Sequence, residues 1–257
     1  MSAEKAPKYS QDSSGHVMLL AVVLTVPVLK LAWTLGGGNA ARDALIAMGP
    51  GNWPDVLIGM FLNEPLLATV LAVVVSRATY AYFAAKGGAL RHQGVPLPVT
   101  AAAAAVVPVG LAVVIGAFNG LAWGLFTGVI AYLLRVAVVI DYTTGRRVHA
   151  TGRRSGRRAE TPLQRAADVI WIAGLLLAGV VLPVIALLAA LDGRAWTSVE
   201  NCNVNTGQGI HRARLIELER QGDGIVGWDV AASEVVNGVN CAGDENETIR
   251  PAWWHDA

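Results

Sequence analysis

The chain has 257 residues, 54% apolar and 15% charged, with a formal net charge of +1 and a mean hydropathy of +0.47. Soluble domains average about 25% charged residues, so the composition excludes an ordinary soluble globule and points to the membrane. The near-neutral total hides a segregation: arginines crowd one loop and acids crowd the last quarter of the chain.

Residues 1–16 are polar, carry Lys5 and Lys8, and are expected to form a cytoplasmic tail. A first apolar span runs over about 17–35 and contains Pro27 and Lys30; a helix needs about 20 apolar residues to cross the hydrocarbon. A cleaved signal peptide is the rival reading, with small residues at Asn39-Ala40-Ala41; the length of the apolar run favours a retained helix. A loop punctuated by glycine and proline follows, with a short interfacial helix expected over Ala40–Met48 and Trp53 at headgroup level. The second span is expected over 56–81 and contains Asn63-Glu64-Pro65; basic Arg77, Lys86 and Arg91 follow. Spans three and four are expected over 97–118 and 121–140, joined by a tight Asn119-Gly120 turn. A basic loop occupies 142–168, and span five runs over 169–191 with Pro183 inside it. Residues 192–257 form a polar, acidic C-terminal domain, with an amphipathic helix expected over Ile210–Arg220 and a short strand around Val226, Trp228 and Val230.

The basic loop reads TGRRVHATGRRSGRR from Thr144 to Arg158 and contains three Gly-Arg-Arg triplets. The positive-inside rule keeps such a loop cytoplasmic. The tail, 77–92 and 146–165 then all fall on one side, which sets the N-terminus in and the C-terminus out. The predicted fold class is an all-α polytopic membrane protein of five transmembrane helices, with a small mixed extracytoplasmic C-terminal domain. Its predicted location is the plasma membrane. Cys202 and Cys241 both fall in that outer domain, and an even pair in an oxidising compartment reads as a disulfide.

Three constellations carry possible function. Lys30 and Glu64 enter the membrane from the same side, and are expected to form an intramembrane charge pair. An acid at the depth of Glu64 costs about 2.5–3.5 kcal/mol on insertion scales. A cation or proton site at Glu64 is the functional alternative, which would make the chain a small ion or proton transporter or channel. Gly116, Gly120, Gly124 and Gly128 recur every four residues and form a helix-packing face. That face serves packing within the chain or a homo-oligomeric seam, the latter compatible with a pore. Arg135 near the inner end of span four is expected to snorkel to the headgroups.

Arg146, Arg147, Arg153, Arg154, Arg157 and Arg158 form an anion-binding loop, with anionic membrane lipids as its first expected partner. Nucleic acid and an acidic cytoplasmic protein are the other two. No aromatic residue is interleaved after Tyr142, so any DNA contact would be made to phosphates, without base stacking. In general organisation, a helical membrane block with a basic cytoplasmic segment, the chain resembles the spread-type membrane proteins of actinomycete conjugative plasmids. That resemblance implies DNA transfer through the arginine loop. The excess of arginine over lysine, with abundant alanine, valine and glycine, has the look of a high-GC genome such as an actinomycete's.

Gly222 to Gly227 matches G-x-G-x-x-G by letter but follows no apolar strand, so it is discarded as a nucleotide loop. Cys202, His211, Cys241 and His255 match no zinc spacing. No catalytic motif, metal site or cofactor is assigned, and a non-enzymatic membrane subunit or scaffold is the expected role.

Overall fold

The computed structural model describes residues 25–85, 97–143, 162–205, 207 and 209–255. These fall into two compact units: residues up to Met60 together with those from Ala190 onward, and Phe61–Ala189 between them.

The central unit is helical. Helix α1 is the helical stretch 25–34, and α2 spans Gly38–Met48; both precede this unit. Helix α3 (Trp53–Asn63) leads into it. Then come α4 (Pro65–Ala85), α5 (Leu97–Asn119), α6 (Leu121–Thr143), α7 (Pro162–Leu176) and α8 (Leu182–Ala190). Four stretches among the described residues are long and apolar enough to cross a membrane: Pro65–Phe83, Pro98–Asn119, Leu121–Ile140 and Asp168–Ala190. The sequence predicts five spans. The first of those, 17–35, is described only from residue 25.

The second span starts later than predicted. The expected helix over 56–81 is divided at Glu64, which separates α3 from α4. Proline has no N–H to donate, and its ring disfavours helical geometry in the residue before it. Helix α4 restarts with the Ala68 N–H donating to the Glu64 carbonyl at 2.9 Å. Pro183 acts differently. The helix runs on through a π-helical turn, Leu177–Val181, directly before α8. Such a turn re-registers the hydrogen bonds ahead of a residue that cannot donate.

Helices α4, α6 and α7 share a core of Val73, Ala131 and Leu134, with Ile130, Ile170 and Leu177 packed against it. Elsewhere these helices expose valine, leucine and phenylalanine in quantity, as lipid-facing surfaces do.

The C-terminal segment is a closed four-stranded antiparallel barrel in the order β1-β2-β3-β4. Its strands are β1 (Val199–Asn205), β2 (Ile210–Gln221), β3 (Gly224–Asp229) and β4 (Glu234–Gly243). The helix expected over Ile210–Arg220 is therefore strand β2. Ala213 and Leu215 alternate into the barrel interior with Cys202, Val204 and Ile225. An irregularity between Glu217 and Glu219 then shifts the register, and Leu218 is buried as well. The expected short strand is β3, with Val230 just past its end.

Tight turns close the barrel. Gly222-Asp223 is a two-residue hairpin with Gly222 at φ 58°, so the G-x-G-x-x-G letters describe a turn and a strand. Between β3 and β4 the Asp229 carboxylate accepts the N–H groups of Ala231 and Ala232 at 2.8 and 3.0 Å. A barrel of four strands is narrow. A Cβ on Gly238 would lie 2.7 Å from both the Cys202 Cβ and the Leu215 Cδ1. Glycine there makes room for the disulfide.

Candidate functional site

Cys202 and Cys241 are joined as a disulfide, as the sequence predicts. The β1–β4 register shows how they meet. Asn201 faces Ala242 and Asn203 faces Val239, so Cys202 lies opposite two residues of β4, Asn240 and Cys241. Asn240 takes up this bulge at φ 52°. Cys202 is fully buried, at 0% exposure. A Glu200 carboxylate oxygen and both sulfurs lie within 4.8 Å of one another, but the sulfurs bond each other and leave no thiolate for a metal.

One end of the barrel carries an ionic cluster. Arg220 donates to Glu217 through Nε at 3.0 Å and through a terminal nitrogen at 2.9 Å, and to Glu200 at 2.5 Å. The Ser198 hydroxyl donates to Glu217 at 2.7 Å. Desolvation pushes the Glu217 carboxyl up, but the hydrogen bonds from Arg220 and Ser198 and the arginine charge outweigh it, so the net shift is downward. Arg220 is shifted upward by the same two carboxylates. A cleft of about 280 Å³ opens beside this cluster, lined by Met48, Asn52, Asp55, Trp196, Glu217 and Arg220 among others. Among the C-terminal acids, Asp244 pairs with Arg214 at 2.8 Å. The Asn246 N–H and that arginine hold its carboxyl below the ordinary range.

Among the described residues of the unit that holds α1 and the barrel, the most buried charge is Lys30, 2% exposed. Its ammonium donates to the Asp192 carboxylate, which also accepts the Arg194 N–H at 2.8 Å. The Thr34 hydroxyl donates to the Arg194 carbonyl at 3.2 Å. Arg250 donates to the Trp33 carbonyl at 2.6 Å and lies over the Trp33 ring at 4.7 Å. Main-chain N–H groups of Ile249 and Arg250 donate to the Gly193 carbonyl at 3.0 and 3.2 Å. Gly193 sits at φ 74° with the Arg250 carbonyl against it, so no side chain fits there. Three separate segments, α1, the stretch after α8, and the C-terminal strap, thus meet at one polar junction. Sequence reasoning pairs Lys30 with Glu64 and does not weigh Asp192, which the structure places at its ammonium. The signal is present: Asp192 is the first acid after the last apolar run, on the same predicted side as Lys30. Glu64 belongs to the other unit, at the break between α3 and α4.

In the helical unit a polar ladder joins α4 to α6. The Thr127 hydroxyl is 3.0 Å from that of Thr69. Arg135 Nε donates to the Ser76 carbonyl at 3.1 Å and to its hydroxyl at 2.9 Å. The guanidinium lies 4.8 Å from the Tyr80 ring centre. Arg135 therefore does not snorkel: it is 5% exposed. A hydroxyl, a carbonyl and an aromatic face on α4 substitute for the headgroups. Arg77 donates to the Trp171 carbonyl at 3.1 Å and spreads over Gly174, beside an apolar cleft of about 210 Å³.

The glycine face lies between α5 and α6 of the same chain. A Cβ on Gly124 would be 2.5 Å from the Ala112 carbonyl and 2.8 Å from the Gly116 Cα; one on Gly128 would be 2.8 Å from the Ala112 Cβ. A Cβ on Gly116 would lie 3.6 Å from the Gly124 Cα, ordinary van der Waals contact. Gly120 serves the connection instead, forming the turn between the helices at φ 92°. The loop arginines Arg146, Arg147, Arg153, Arg154, Arg157 and Arg158 lie outside the described residues.

No protein-family model, curated protein or solved structure matches this chain.

Proposed function

We propose that the chain is a non-enzymatic integral membrane scaffold subunit that holds a disulfide-closed β-barrel on the extracytoplasmic face of the plasma membrane. The observation that carries this reading is the Cys202–Cys241 bond, with Cys202 fully buried, in a barrel that begins only a few residues after the last candidate span. Such bonds persist in oxidising compartments. The span count supports the same side. Four crossings leave the basic segments 77–92 and 146–165 together on one face and the barrel on the other, independently of the first apolar stretch. A reporter fused after Ala257 should read extracytoplasmic and one inserted at Ser155 cytoplasmic; the reverse at either site overturns the reading.

One observation favours the rival reading of ion or proton transport. The helix break at Glu64-Pro65 places a carboxylate where backbone is interrupted, a device that transporters use for ion sites. Glu64→Gln in liposomes tests it: the scaffold reading expects no change in proton or cation flux, whereas transport through Glu64 expects flux in the parent and its loss in the variant. Homo-oligomeric pore formation, and DNA transfer through the arginine loop, are finer readings of the same membrane subunit. They rest on the sequence pattern alone.

A further inference from the structure

The last turn of the described chain, Trp253–His255, is a short 3-10 helix. It does not trail away from the fold. The strap before it is bonded to Gly193, and Thr248 bridges to Arg194. Ala252 is buried, and the Trp253 N–H donates to the Leu191 carbonyl at 3.0 Å. Leu191 is the first residue past the candidate span Asp168–Ala190. The chain thus folds back so that this turn is pinned to Leu191, the residue that follows Ala190 in sequence.

The two side chains presented there are adjacent indoles, with Trp253 53% and Trp254 43% exposed. By contrast, the buried tryptophans of this unit, Trp196 and Trp228, are nearly inaccessible. Two neighbouring exposed indoles would be a poor surface for water. They suit the headgroup layer, where an apolar ring meets lipid and its N–H meets water.

We propose that Trp253 and Trp254 form an interfacial anchor that seats the C-terminal strap in the headgroup layer of the bilayer, the occupant of this surface being phospholipid. The anchor closes a loop of chain: the barrel leaves the membrane through Leu191 and returns to it through Trp253. The inference rests on Asp168–Ala190 crossing the bilayer, and the test separates the two claims.

The full chain is reconstituted in phosphatidylcholine–phosphatidylglycerol vesicles containing lipid with a nitroxide near the headgroup or deep in the acyl region. Emission of the Trp253→Phe/Trp254→Phe variant is subtracted from that of the parent. The difference emission should be blue-shifted, quenched more by the shallow nitroxide than by the deep one, and shielded from aqueous iodide. Red-shifted difference emission that iodide quenches and neither nitroxide affects overturns the anchor. Trp123 and Trp171 lie within candidate spans and report insertion independently. If no emission responds to either nitroxide, the membrane reading fails and the anchor with it. Retention of the Cys202–Cys241 bond on a non-reducing gel verifies folding of the variant. The single phenylalanine variants give the same comparison should the double one lose that bond.

Discussion

A lysine buried as completely as Lys30 is stable only because an acid answers its charge. Isolated ammonium groups lose several kcal/mol on leaving water, and a well-placed carboxylate returns most of it. Asp192 serves this purpose and is itself fixed by the Arg194 N–H. The pair should therefore behave asymmetrically. Lys30→Met leaves Asp192 unanswered and should destabilise the protein by about 3–5 kcal/mol, whereas Lys30→Met with Asp192→Leu should recover much of that loss. Thermal unfolding in detergent measures both; equal destabilisation by the single and double variants would refute the pairing. The sequence shows that Lys30 needs an acid but not which one. Besides Glu64 within the second predicted span, Asp43, Asp55 and Asp192 lie on the predicted outer side, and chain separation does not rank them. Arg135 is harder still. Its distance from the end of the apolar run suits snorkelling, and only the approach of Ser76 and Tyr80 from another helix buries it.

At the scale of elements, close packing is legible where small residues repeat and ambiguous where polarity alternates. The four-residue glycine repeat forecasts a helix-packing face, and Gly116, Gly124 and Gly128 do lie where α5 and α6 touch. Gly124→Leu would drive a side chain into the Ala112 carbonyl and the Gly116 backbone. Backbone cannot rotate aside as a side chain can, so the cost should be at least the roughly 1–3 kcal/mol of ordinary overpacking. The variant should lower the melting temperature of the helical signal in circular dichroism without changing the molecular mass in detergent. A change in mass with unaltered melting would move the face to an intermolecular seam. Strand β2 reads as a helix for a physical reason. Ile210 to Gln221 is rich in Arg, Glu and Leu, which favour helix, and Ile210, Ala213 and Ile216 recur every three residues, compatible with one helical face. Pairing on both sides in a closed barrel overrides that preference, and the register shift at Leu218 masks the two-residue period. Pro65 foreshadows the break at Glu64. Sequence alone does not say whether a proline in an apolar run is tolerated, as Pro108 is within α5, or divides the helix.

At the scale of the whole molecule, the two compact units draw stability from different sources. The helical unit has its backbone hydrogen bonds within each helix, contains no cysteine and exposes apolar side chains suited to lipid. The barrel is small, and a lone core below about 70–80 residues supplies only about 3–5 kcal/mol. Its disulfide spans a sequence separation of 39. Closing a loop of that length is worth about 4 kcal/mol through the entropy of the unfolded chain. The barrel should therefore depend on the bond for most of its net stability, and the helices should not. Cys202→Ala with Cys241→Ala avoids a buried polar replacement and leaves a pair of small side chains in the interior. In detergent, that variant should lose its strand contribution and the near-ultraviolet signal of Trp228 at a markedly lower temperature than the parent. The helical signal should melt where it did before. If both signals shift together by the same amount, the units unfold as one and the barrel is not an independently stabilised head. If neither shifts, the loop-closure estimate is wrong for this barrel, and its stability comes from the closed sheet and the interior packing of Val204, Leu215 and Ile225.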